Sequence, residues 1–205
     1  MECRETCKLL AEVKPERDLY PLVMRWLNMG FATSDALINV GQRPTLFSAD
    51  ISQKKANIGG HWSRPDLATI AYRRGVFTPS WEASIYSFEV KCYSTVDQAA
   101  VYEAVAHTRF VHYSYLLWQE EDMPSSEKWR IVDLCREFGV GAITAFDPSD
   151  VNTYKLRAAP KRNQITISET DSFIRERFPL ELQNKIKEWL GKNGWQQLGA
   201  GRDAI

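Results

Sequence analysis

The sequence carries no net charge: its 26 Lys and Arg are matched by 26 Asp and Glu. That excludes a uniformly basic nucleic-acid footprint, although binding follows local fields and not totals. No apolar run is long enough to cross a bilayer, so no membrane role is expected. The first residues show no signal-like apolar segment. Cysteine is scarce, with Cys3, Cys7, Cys92 and Cys135 and no CxxC pair. Neither a disulfide framework nor a zinc site has its spacing, and free thiols in a reducing cytoplasm are the expectation. There is no glycine-rich phosphate loop and no GxSxG elbow. Two frequent routes to an α/β enzyme therefore lack their signatures.

What is present is an ordinary globular composition, 44% hydrophobic and 25% charged, enriched in Trp, Tyr and Phe. It suits one domain, expected over 1–190, with a loose tail over 191–205. Leu19, Leu22, Val23, Trp26 and Leu27 recur at helical spacing and Gly30 ends them. Pro21 fits the first turn of that helix, where a missing N–H is harmless. Strands are expected at Asp35–Val40, from Asp66 through Tyr72, at Ile85–Cys92, Ser114–Gln119, Val140–Phe146 and Gln164–Ile167. Helices are expected over about Thr95–His112, Ser125–Phe138, Glu169–Arg177 and Pro179–Leu190. From Leu67 the order is strand, strand, helix, strand, helix, strand. That order implies an α/β fold with a mixed β-sheet flanked by helices. The segment 41–63 mixes Gly, Pro, Ser and Lys and carries no clear pattern.

The chemistry concentrates in Arg64-Pro65-Asp66 and Phe88-Glu89-Val90-Lys91. Side chains alternate along a strand, so Glu89 and Lys91 share one face while Phe88 and Val90 turn the other way. Asp66, at the start of a neighbouring strand, can reach the same spot. Two carboxylates and the Val90 carbonyl suit a hard cation such as Mg²⁺, which takes oxygen ligands. A lysine beside that cation can orient water or stabilise charge developing on a phosphate.

These residues resemble the PD-(D/E)xK nuclease superfamily, which has the restriction-endonuclease-like fold. Pro65-Asp66 stands for the first half of its motif and Glu89-Val90-Lys91 for the second. The family places an acid on its first helix, and Glu16 occupies that place here. It also places a helix directly after the lysine strand, where some members carry Gln and Tyr four residues apart. Gln98 and Tyr102 have that spacing. The resemblance covers roughly 15–146. It implies a Mg²⁺-dependent deoxyribonuclease, with Mn²⁺ as a substitute, acting in restriction, defence or repair and leaving 5′-phosphate ends. Asp66, Glu89 and Glu16 would hold the metal with the Val90 carbonyl, Lys91 would position water, and Gln98 would assist. The partner it implies is DNA, with specificity supplied by the fold, by a homodimer or by a partner protein.

The alternative is a nuclease-fold module that binds nucleic acid or protein without cutting. The neutral charge favours it, and the intact Asp66, Glu89 and Lys91 weigh against it. An unrelated α/β enzyme with a carboxylate–lysine pair is a third reading. His107 and His112 are five apart and do not share a helical face, so structural roles are expected for both. His61 reads as a loop histidine. Trp62 and Trp81 offer stacking surfaces for bases, but packing is the commoner use of Trp.

Overall fold

The computed structural model describes residues 16–37, 43–53, 64–75, 77, 80–120 and 126–193. The expectations for Cys3, Cys7, His61 and Trp62, and for most of the tail, lie outside these residues. Six strands form one mixed sheet in the order β1-β2-β3-β4-β5-β6: Thr45–Asp50, Leu67–Arg74, Trp81–Lys91, Tyr113–Gln119, Gly141–Ala145 and Tyr154–Ala158. β1, β2 and β3 pair antiparallel, β3, β4 and β5 pair parallel, and β6 returns antiparallel along β5. The parallel pairs are joined by helical crossovers, α2 (Gln98–His107) and α3 (Ser126–Phe138). α1 (Glu16–Met29) precedes the sheet, and α4 (Ile167–Arg177) and α5 (Leu180–Lys192) follow it. No helix among the described residues is long and apolar enough to cross a membrane. Cys92 and Cys135 are both buried.

The sheet is covered on both faces, and β3 shows how. Tyr86, Phe88 and Val90 join Leu19, Val23, Trp26 and Leu27 of α1 in one apolar cluster. Trp26 meets Phe88 edge to face with ring centroids 6.3 Å apart. On the opposite side, Leu116, Trp118 and Ala142 pack against Val101, Ala104, Ile131 and Val132 of α2 and α3. Ile70 and Ile85 pack there against Phe173, Phe178 and Ile186 of the last two helices. A central strand covered on both sides has no solvated face, so a polar residue on it is buried unless it lies at an end.

Four expectations change. Pro21 lies inside α1, which runs from Glu16, and not in its first turn, so its missing N–H takes one bond from the helix ladder. Asp35–Val40 gives no strand in its described part. The Ser34 hydroxyl donates to the Phe31 carbonyl, and the Leu37 N–H to the Ser34 carbonyl. Such local turns consume the backbone groups that a ladder would need. Gln164–Ile167 gives no strand either. Thr166 and Glu169 close a capping box that starts α4 at Ile167, and this reciprocal pairing of orphan N–H groups outweighs a short apolar alternation. The helix expected over Thr95–His112 is shorter, because the Asp97 carboxylate caps its start and a turn ends it after His107. Two strands went unforeseen, β1 and β6. Both are edge strands, half-exposed and carrying charge or polar residues along their length.

His112 serves the fold as expected. Its Nδ1 accepts the Ile85 N–H at 3.0 Å.

Gly141 fixes the approach of β5 to β4. A Cβ there would lie 2.3 Å from Cδ1 of Tyr115. Tyr115 cannot yield, because it is fully buried, stacks on Phe88 and donates its hydroxyl to the Ala36 carbonyl. Gly141→Ala is therefore expected to destabilise the protein by about 3 kcal/mol, the upper end of the range for overpacking. Urea unfolding checks this, and a change below about 0.5 kcal/mol, ordinary for a surface site, would show that the core adapts.

Candidate metal centre

Glu89 and Lys91 lie at the end of β3, on the face that α2 covers. α2 comes close because Ala100 and Ala104 face the sheet, and the Ser114 hydroxyl donates to the Ala104 carbonyl while accepting from Ser87. Glu89 is consequently only 5% exposed. The Lys91 ammonium lies 2.6 Å from Glu89 Oε1, 2.8 Å from Glu103 Oε2 and 3.5 Å from Glu16 Oε2.

Asp66 immediately precedes β2, and its backbone is fixed by the Ile51 N–H donating to its carbonyl at 2.9 Å. Its side chain turns toward β3. The Val90 N–H donates to Oδ2 at 2.8 Å, and the Tyr20 hydroxyl donates to Oδ1 at 2.5 Å. In a strand the N–H and C=O of one residue point to the same edge, so the Val90 carbonyl faces the side of Asp66 too. Glu16 opens α1 one turn before Tyr20, and its Oε1 is 3.2 Å from the same hydroxyl. The helix thereby delivers Glu16 and Tyr20 together.

The outcome is that one carboxylate oxygen from each of Glu16, Asp66 and Glu89 lies within 4.8 Å of the others. Burial raises the Asp66 pKa above the usual carboxylate range, against the lowering effect of its hydrogen bonds from Tyr20 and Val90. Burial and the Asp66 charge raise that of Glu89 further. Burial alone would lower the Lys91 pKa, but Glu89, Glu103 and Glu16 outweigh it and lift it above its ordinary value. Several acids crowded around one ammonium leave a surplus of negative charge in a poorly solvated place. All side-chain donors are oxygen, with no thiol in the group. That donor set fits a hard divalent cation such as Mg²⁺ or Mn²⁺.

Of the expected site residues, Asp66, Glu89, Lys91 and Glu16 come together, and Val90 joins them through its backbone. Gln98 does not. Its side-chain amide donates to the Tyr102 hydroxyl at 2.8 Å, and it borders a groove against Arg130, Ile131 and Leu134 of α3. The Tyr102 ring packs against Phe138 on that same outer side. The cause is the docking of α2: Ala100, Ala104 and His107 face inward, so the Gln98–Tyr102 stripe faces outward. Trp81 packs against Trp189, in the cluster of the last helices.

Three residues of the site were not anticipated. Tyr20 belongs to no motif in the sequence. Glu103 carries no motif. His107, expected to be a satisfied structural residue, is fully buried with Nε2 3.7 Å from Glu89 Oε2, and neither ring nitrogen has a hydrogen-bond partner among the described residues. Burial, with Arg177 and Lys91, holds its pKa down to about 3, so it stands neutral behind Glu89. One signal was available: Glu103 and His107 are i,i+4 and share a helical face, as do Glu16 and Tyr20.

No protein-family model matches the chain, and no curated protein matches it. A solved structure of a protein of unknown function from Silicibacter pomeroyi is similar with a TM-score of 0.36 and 11% identity, over 78% of this chain and 86% of that chain.

Proposed function

We propose that the chain is a metal-dependent nuclease of the PD-(D/E)xK kind that hydrolyses phosphodiester bonds in DNA. One observation carries the reading. Asp66 from the start of β2, Glu89 and Lys91 from β3, and Glu16 from the first helix meet at one place, in the order and on the elements that the motif demands. Glu16, Asp66 and Glu89 would hold Mg²⁺ or Mn²⁺, with the Val90 carbonyl on the same side. When bound, such a cation supplies a Lewis acid for a phosphate oxygen and lowers the pKa of water. Lys91, kept protonated by its acidic neighbours, would orient the attacking water or balance negative charge developing on the phosphate. The half-buried setting strengthens each of these electrostatic effects relative to water.

The test is to incubate the protein with plasmid, linear and single-stranded DNA in Mg²⁺ or Mn²⁺ and in EDTA. Cleavage that needs the metal and vanishes in Asp66→Ala supports the reading. Cleavage unchanged in EDTA or in Asp66→Ala, or none on any substrate, would sink it.

Tyr20 extends the same reading. Its hydroxyl holds Asp66 Oδ1 in place and favours the ionised carboxylate. Tyr20→Phe removes only that hydroxyl, and the ring keeps its place in the core. Mn²⁺ affinity is expected to fall about ten-fold, as for other residues that orient a metal ligand. Calorimetric titration measures it, and affinity equal to wild type would show that Asp66 needs no support from α1.

A further inference from the structure

The Lys91 ammonium has three acidic neighbours, and they are not equivalent. Glu89 and Glu16 belong to the proposed metal centre, whereas Glu103 on α2 does not. A cation and the ammonium must compete for the oxygens of Glu89 and Glu16. We propose that Glu103 is a positioning residue: it supplies Lys91 with a counter-charge of its own, so that Glu89 and Glu16 can turn to a divalent cation while the ammonium stays beside it. This rests on the metal-centre reading above.

Three features of the site support the assignment. The Glu103 bond to Lys91, at 2.8 Å, is nearly as short as that of Glu89 and much shorter than that of Glu16. The Glu103 side chain is 30% exposed against 7% for Glu89, so it keeps its charge at a smaller desolvation cost. Its place is also fixed. The Asp97 cap sets the start of α2, Ala100 and Ala104 set its distance from the sheet, and His107, one turn beyond Glu103, backs Glu89 on the same face. α2 thus contributes a layer behind the centre, with Glu103 against the lysine and hydrogen-bonded to the Glu89 carboxyl, and His107 behind that carboxyl.

A competing role for Glu103 is direct attraction of the cation through its own charge. The two differ in whether Lys91 is needed. Mn²⁺ is titrated calorimetrically, without nucleic acid, into wild type, Glu103→Gln, Lys91→Met and the double variant, with melting curves to confirm folding. Glu103→Gln is expected to weaken Mn²⁺ binding about ten-fold in wild type. In the Lys91→Met background the same change should move affinity by less than about two-fold, because the two residues act as one unit. Glu103→Asp, which keeps the charge, should recover most of the loss. An affinity unchanged by Glu103→Gln, or a loss of equal size with and without Lys91, overturns the proposal while leaving the metal centre in place. A wild-type protein that takes up no Mn²⁺ at millimolar concentration overturns the metal centre, and this proposal with it.

Discussion

Lys91→Met is expected to keep the divalent cation and lose the chemistry. Methionine preserves the length and most of the packing of the lysine stem but has no charge to set against a phosphate or a water. Loss of one well-placed electrostatic or proton-handling group costs on the order of 10³-fold in rate. Lys91 occupies part of the coordination sphere that Glu89 and Glu16 offer, at 2.6 and 3.5 Å. Its removal therefore leaves Mn²⁺ affinity equal or higher. In the metal-free variant, burial and Asp66 drive Glu89 to take up a proton, which limits the cost of losing its partner. Single-turnover cleavage at saturating Mn²⁺, beside calorimetric titration of the same preparation, separates the two effects. Rates equal to wild type would remove Lys91 from the chemistry, and a parallel loss of Mn²⁺ binding would make it a structural residue.

Glu89→Gln is expected to do the reverse. A neutral amide is a poor ligand for a hard dication, so Mn²⁺ affinity should fall at least about 100-fold, beyond the loss for residues that only orient a ligand. Without metal the same change is expected to stabilise the protein, and the gain should depend on pH. The folded-state pKa of Glu89 lies above its unfolded value because of burial and the Asp66 charge. The folded chain thus holds the proton more tightly than the unfolded chain, and stability falls as pH rises from the ordinary glutamate range through the raised value. The substituted amide does not titrate and escapes that penalty. In EDTA the melting temperature of Glu89→Gln should exceed that of wild type at pH 8, with the difference shrinking toward pH 5. A pH-independent difference would mean that Glu89 ionises freely in the folded protein. With the predicted pH dependence, function holds the carboxylate in place against stability, a common arrangement at active sites.

The centre was legible where it lies on regular elements. The alternation in β3 puts Glu89 and Lys91 on one face and anchors Phe88 and Val90 in the core, and period-two patterning survives burial on both sides. The helical spacing of α1 likewise puts Glu16 and Tyr20 on one side. What was not legible depends on docking. Gln98 and Glu103 are both polar residues of α2, and nothing local says which of them meets β3. The decision is made by Ala100, Ala104 and His107, which turn inward and carry Glu103 toward Lys91 and Gln98 away from it. The edge strands β1 and β6 were missed because a strand covered on fewer sides needs fewer apolar residues and leaves a weaker pattern.

Whether Glu16, Asp66 and Glu89 hold one divalent cation beside Lys91 is decided by crystals soaked in Mn²⁺ and measured at the manganese absorption edge. The expected result is a single strong anomalous peak bounded by the carboxylates of these three residues, with the Val90 carbonyl on its near side and Lys91 still bonded to Glu103. A peak elsewhere, or none at saturating Mn²⁺ with the Lys91 ammonium still seated on Glu89 Oε1, would contradict it.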